Sequence, residues 1–252
     1  MAHISATVMP RKTLEFRTRI EVIIPQDSNE EFVKPDKILY LLHGLTDDCT
    51  AWCRNTRIES YAEERGYIVI MPEVQRSFYS DMKHGSQYFS YVTEELPQIC
   101  EELFNIKHTR AKTFVAGLSM GGYGALKCGL TRPDFYAACA GFSGALDPKR
   151  FIEDDLDWYR EMYAIIDKGD PWPESADLFN LASKMAAMPK EKQTRVLVTC
   201  GHEDFLIEHN RSFNKHMETL NVADYKYKEW PGQHVWKFWE ECLPLAFEFF
   251  ER

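Results

Sequence analysis

Gly117-Leu118-Ser119-Met120-Gly121 sets a serine between two glycines, where an apolar run around Phe114 and Val115 gives way to a helix-compatible run ending near Gly129. A serine on so sharp a strand-to-helix turn has strained backbone angles. Its hydroxyl stands clear of the sheet, at a helix N-terminus whose dipole and free N–H groups favour developing negative charge. The plainer alternative is a glycine-rich turn in which the serine only caps the helix. The strand before it, the helix after it and the further glycines at 122 and 124 favour the nucleophile.

A serine hydroxyl becomes reactive only when a base takes its proton and a third group orients that base. In an open parallel sheet these partners sit on loops after later strands, in the order serine, acid, histidine. The loop after the apolar run 195–200 offers Glu203 and Asp204. Asp204 is read as the acid because it stands just before the next helix, which it could otherwise merely cap. After the run 224–229 comes His234, read as the base. His202 precedes the acid and breaks the order, His209 and His216 fall on the following helix, and His84 comes too early.

A tetrahedral intermediate also needs two donors for its oxyanion. The backbone N–H of Met120 supplies one. The other is expected from Leu45, in the loop His43-Gly44-Leu45 that leaves the first central strand, with His43 a structural residue beneath it.

Alternating apolar runs and helical patterns must hold these loops in place. Segments 3–9 and 14–24 read as a strand pair, and 37–42 and 67–71 as buried strands flanking a helix over 51–65. Segment 73–89 is an aromatic-rich loop, and 91–104 a helix with Pro97 as a kink or late start. Segment 135–142 reads as a strand, 206–220 as a helix, and a last helix follows Pro231-Gly232. Strand, helix, strand repeated in this way specifies an α/β fold with a mostly parallel central sheet. Residues 147–192 break the rhythm with charges, Pro171-Trp172-Pro173 and helical spacing at Trp158, Tyr159 and Tyr163. They are read as a helical cap-like insertion in a single domain spanning 1–252. The aromatics of 73–89 and 147–192 suggest a pocket able to stack a ring, or else simple core packing.

Thirty basic against 39 acidic residues leave a net charge of −9, without a block of lysine and arginine, so neither nucleic acid nor an anionic membrane is an expected partner. No apolar run reaches membrane-spanning length, and the N-terminal residues lack the apolar centre of a signal peptide, so a cytoplasmic location is expected. The seven cysteines are scattered; Cys128, Cys139 and Cys200 read as small core residues. Cys49 and Cys53 lack a second pair with metal-ligand spacing, so no metal is expected.

Leu41-Leu-His-Gly44, Arg76-Ser-Phe-Tyr79, Glu94-Glu-Leu-Pro97, the run from Ala116 to Gly124, Gly201-His-Glu-Asp-Phe-Leu206 and Gly232-Gln-His-Val-Trp236 together resemble the esterase D-type α/β-hydrolases. Within these the chain is most similar to the tributyrin esterase-like short-chain carboxylesterases, over about residues 38 to 240. The resemblance implies an α/β-hydrolase fold and an acyl-enzyme mechanism with no cofactor. It implies Ser119 as nucleophile, Asp204 as acid, His234 as base, and Leu45 and Met120 as oxyanion donors. The expected substrates are small-molecule esters with short acyl groups, extending to acetylated or feruloylated carbohydrates. An S-formylglutathione hydrolase is the alternative within the enzymes, and a non-catalytic binding protein on the same scaffold the alternative outside them. A homo-oligomer is the expected assembly.

Overall fold

A computed structural model describes residues 1–26, 33–153 and 162–252. Eight strands form one sheet: β1 (Ala2–Val8), β2 (Thr18–Ile24), β3 (Lys37–Leu42), β4 (Tyr67–Pro72), β5 (Thr113–Leu118), β6 (Ala138–Phe142), β7 (Arg195–Gly201) and β8 (Tyr225–Trp230). Their order across the sheet is β1-β2-β4-β3-β5-β6-β7-β8. The β1–β2 and β2–β4 pairs are antiparallel and all the others parallel. The fold is that of an α/β-hydrolase, as the family resemblance implies.

Burial on both faces explains the unbroken apolar runs. On β3, Ile38, Tyr40 and Leu42 join the core on one side, while Leu39 and Leu41 join the core on the other. The outermost strands differ: β1 alternates half-buried and exposed positions, and β8 is nowhere fully buried. The alternation on β1 marks a strand with one face open to water.

Ten α-helices are described. They are α1 (Ala51–Asn55), α2 (Ile58–Arg65), α3 (Tyr88–Ser90), α4 (Leu96–Phe104), α5 (Met120–Thr131), α6 (Lys149–Glu153), α7 (Met162–Ile165), α8 (Leu178–Ala186), α9 (Ile207–Glu218) and α10 (Trp236–Phe250). The helix expected over 51–65 breaks at Thr56, whose backbone is extended. Its hydroxyl bonds the Trp52 carbonyl at 2.6 Å, and side-chain competition of this kind ends a helix. Between α3 and α4 the chain runs through a π-helical stretch, Tyr91–Glu95, and Pro97 sits in the first turn of α4. Proline has no N–H for the Thr93 carbonyl; the Arg132 guanidinium donates to it instead, at 3.2 Å. Strand β6 begins only at Ala138, because Phe135 and Tyr136 turn back onto the Arg132 carbonyl. Strand β2 begins at Thr18, after a turn over 11–14.

Within 147–192, α8 packs on α5 and α9 and completes the crossover from β6 to β7 that neighbouring parallel strands require. Trp158 and Tyr159 lie outside the described residues. Lys83 Nζ reaches Asp167 and Asp170 at 2.5 and 2.9 Å, clasping loop 81–84 to the segment after α7. No described helix is long and apolar enough to cross a membrane.

Helix α5 is buried along almost its whole length, including one lysine. Lys127 donates to the Tyr79 carbonyl and to Ser80 Oγ, both at 3.1 Å, and its ammonium lies 4.5 Å from the centre of the Phe89 ring. Burial pulls its pKa from 10.5 down to about 8. Between those two values the folded chain has released this proton while the unfolded chain still holds it, so stability rises with pH. Measured against a Lys127→Met variant, wild type should gain roughly 3 kcal/mol between pH 8 and 10.5. Urea unfolding of both proteins across that range checks it; parallel curves would show that Lys127 does not titrate there.

Candidate active site

Sequential strands β3 and β4 lie on one side of the point where the order reverses, and β5 lies on the other. Loops leaving β3 and β5 therefore diverge and open a crevice at the C-terminal ends of the strands, the place where open α/β sheets bind ligands. A cavity of about 390 Å³ occupies it, lined by Leu45, Asp47, Ser119, Met120 and His234 among others.

Ser119 takes φ 54° and ψ −118°, a conformation that costs a non-glycine residue on the order of 1–3 kcal/mol. Backbone bonds hold it there. Its N–H donates to the Phe142 carbonyl at 2.9 Å, and its carbonyl accepts from Tyr123 and Ala145, both at 3.1 Å. The flanking glycines permit close approach. A Cβ on Gly121 would lie 2.3 Å from the Leu42 carbonyl oxygen and 2.6 Å from that of His43. A Cβ on Gly117 would lie 2.4 Å from the Gly121 oxygen.

The acid and the histidine come together as the spacing suggests. His234 Nδ1 lies 2.8 and 3.0 Å from the two oxygens of Asp204, whose side chain is fully buried. A buried carboxylate fixes the proton on Nδ1 and leaves Nε2 free to accept. Asp204 Oδ1 also accepts from the Leu206 N–H at 2.8 Å, so it caps its own loop as well. Glu203 faces elsewhere: its carboxylate accepts from the Gly232 N–H at 2.7 Å. Its own N–H returns to the Gly232 carbonyl at 3.0 Å, and the His202 N–H reaches Trp230 at 2.9 Å. The acid loop is thus tied to the histidine loop at three points.

Ser119 and His234 line the same cavity, and no hydrogen bond joins them among the described contacts. Such bonds are often long in an empty site and tighten when substrate arrives.

His43 lies beneath the cavity and is almost fully buried. Its Nε2 accepts from the Val74 N–H at 3.2 Å, which leaves the proton on Nδ1, 2.8 Å from the Gly44 carbonyl. That carbonyl also accepts from the Asp47 N–H at 3.2 Å. In a trans peptide, fixing the Gly44 carbonyl aims the Leu45 N–H the opposite way, away from His43. Trp52 Nε1 and the Tyr79 hydroxyl satisfy the Leu42 and His43 carbonyls, at 3.1 and 3.0 Å, where the sheet ladder ends.

Residues 12–250 match the sequence profile of the family described as Putative esterase. The chain belongs to this esterase family. An acetyl esterase of Caldicellulosiruptor saccharolyticus is 30% identical over 96% of this chain and 95% of its own. A substrate-bound fluorophosphonate-binding serine hydrolase of Staphylococcus aureus superposes with a TM-score of 0.87 at 32% identity, covering 100% of this chain and 98% of its own. An S-formylglutathione hydrolase of the same organism gives 0.82 at 32% identity, covering 100% and 99%. This esterase is a carboxylic ester hydrolase.

Several residues around the esterase's cavity are not distinguished by the sequence pattern. The Phe205 ring lies 4.5 Å from that of His234, tilted by 53°, and Trp239 meets His234 edge-on at 4.9 Å. The available signal was adjacency: Phe205 follows the acid directly, and Trp236 is two residues past the histidine. From the aromatic loop 73–89, Phe78 lines the cavity, and no described residue of 147–192 does. Among the described residues, one group of atoms able to ligate a metal, from His3, Cys53 and Glu59, gathers within 4.8 Å; none of these residues lines the cavity. All seven cysteines are free, and all but Cys53 are buried.

Proposed function

We propose that this esterase hydrolyses short-chain acyl esters through Ser119, His234 and Asp204, with the N–H groups of Leu45 and Met120 receiving the oxyanion. The observation that carries this reading is the Asp204–His234 pair, with His234 facing the same cavity as a serine in a strained turn. His234 Nε2 takes the Ser119 proton as Oγ attacks the acyl carbon. Asp204 stabilises the imidazolium, and the proton then passes to the departing alcohol. Water repeats the steps on the acyl-enzyme. A cavity near the small end of the usual ligand-pocket range supports short acyl groups. The similarity to an acetyl esterase supports the same substrate class.

A thioesterase reading rests on the likeness to an S-formylglutathione hydrolase. Glutathione carries two carboxylates, and no lysine or arginine lines the cavity among the described residues to receive them. The test is hydrolysis of p-nitrophenyl esters from acetate to octanoate beside S-formylglutathione at matched concentration. We expect kcat/KM to peak at acetate to butyrate and to exceed that for the thioester. A thioester preferred by several orders of magnitude would reverse the assignment.

A further inference from the structure

Two titratable side chains line the cavity among the described residues, His234 and Asp47. Asp47 is left unexplained by the hydrolytic steps. It follows Thr46 in the loop leaving β3 and is half-buried. Its carboxylate has no hydrogen-bond or ion-pair partner among the described residues, whereas the adjacent Asp48 is bound by Thr50 and Arg54. A carboxylate partly withdrawn from water with no donor supplied by its own chain is costly, because its lone pairs lose hydration without replacement. Burial accordingly raises its pKa, opposed by His43, Arg54 and His234.

The carboxylate is also close to the reacting centre. The point that a Cβ would occupy on Gly44 is 3.3 Å from Asp47 Oδ2 and 3.7 Å from Ser119 Cβ. It therefore stands within about a side chain's length of the serine, able to touch whichever part of the ester lies on the β3 side.

We propose that Asp47 is a specificity-determining residue that accepts hydrogen bonds from hydroxyl groups of a neutral polyol ester and repels anionic esters. The proposal rests on the hydrolytic reading of Ser119 and His234 and names the class of alcohol that site takes. A hydroxyl-bearing alcohol supplies the donors that Asp47 lacks. An alcohol carrying a carboxylate meets a like charge in a confined space, with no cation lining the wall among the described residues.

The experiment compares three acetate esters of similar size: glycerol monoacetate, propyl acetate, and the acetate ester of 3-hydroxypropanoate. Values of kcat/KM are measured at mildly alkaline pH for wild type, Asp47→Asn, Asp47→Ala and Asp48→Asn. In wild type we expect the glycerol ester to lead and the anionic ester to trail. A hydrogen bond to a charged group is worth roughly tenfold to a hundredfold, so Asp47→Ala should lower the glycerol-to-propyl ratio at least about tenfold. Asp47→Asn should raise the anionic-to-propyl ratio, since it removes the charge and keeps a polar side chain. Asp48→Asn should leave both ratios as they are, because Asp48 does not line the cavity. Ratios unmoved by either Asp47 substitution, in variants that still turn over propyl acetate, overturn the proposal alone. Absence of turnover of every ester by wild type overturns the hydrolytic reading and this proposal with it.

Discussion

Ser119→Ala is expected to lower kcat on p-nitrophenyl acetate by about 10⁴- to 10⁶-fold while leaving the thermal midpoint close to wild type. Removing the nucleophile of a triad costs about as much as removing the whole triad, because its members act as a unit. What survives is the contribution of the oxyanion donors and binding, on the order of 10³–10⁴ over water. Stability should hardly move. The backbone bonds from Ser119 to Phe142, Tyr123 and Ala145 belong to its N–H and carbonyl, which alanine retains. No side-chain hydrogen bond caps α5 there either. The same substitution should abolish labelling of the folded protein by a fluorophosphonate. Turnover within tenfold of wild type would remove Ser119 from the mechanism.

Gly121→Ala is the second large effect, and it falls on folding. The added Cβ would lie 2.3 and 2.6 Å from two backbone carbonyl oxygens, of Leu42 and His43. Neither can rotate away as a side chain would. Both are already bonded, to Trp52 and Tyr79, so moving them also breaks those bonds. Helix α5 must then lift from β3, carrying Ser119 away from the Gly44–Leu45 peptide. We expect a loss above roughly 4 kcal/mol, in the range of severe core lesions, seen as insoluble expression or a thermal midpoint lower by more than about 10 °C. A soluble variant with a midpoint within a degree or two of wild type would show that the α5–β3 approach is looser than described.

Both predictions rest on features readable in the chain. Ser119, Asp204 and His234 stand out because each lies in the loop that follows an expected strand, in the order serine, acid, histidine of the α/β-hydrolases that the chain resembles. The sheet was legible for the same reason: runs such as 37–42 and 195–200 make sense only when covered on both faces. Helix α8 was harder to see. Its apolar positions Leu178, Leu181, Ala182 and Met185 have helical spacing, but they follow Pro171-Trp172-Pro173 in a segment whose charge obscures the pattern. Asp47 and Trp239 could not be read at all. Nothing in their type or spacing distinguishes an aspartate in a cavity wall from one in solvent, or a tryptophan beside a histidine from one in the core. Their placement depends on how three loops from distant parts of the chain converge.

The three bonds between 201–203 and 230–232 have a mechanical consequence. They weld the loops carrying Asp204 and His234 into one stiff body, and no described hydrogen bond fastens that body to the Ser119 turn. Thermal breathing of the site is therefore expected to change the gap between histidine and serine before it disturbs the gap between histidine and aspartate. If His234 takes the Ser119 proton as proposed, the imidazole keeps its orientation and the joint that moves is the one the proton crosses.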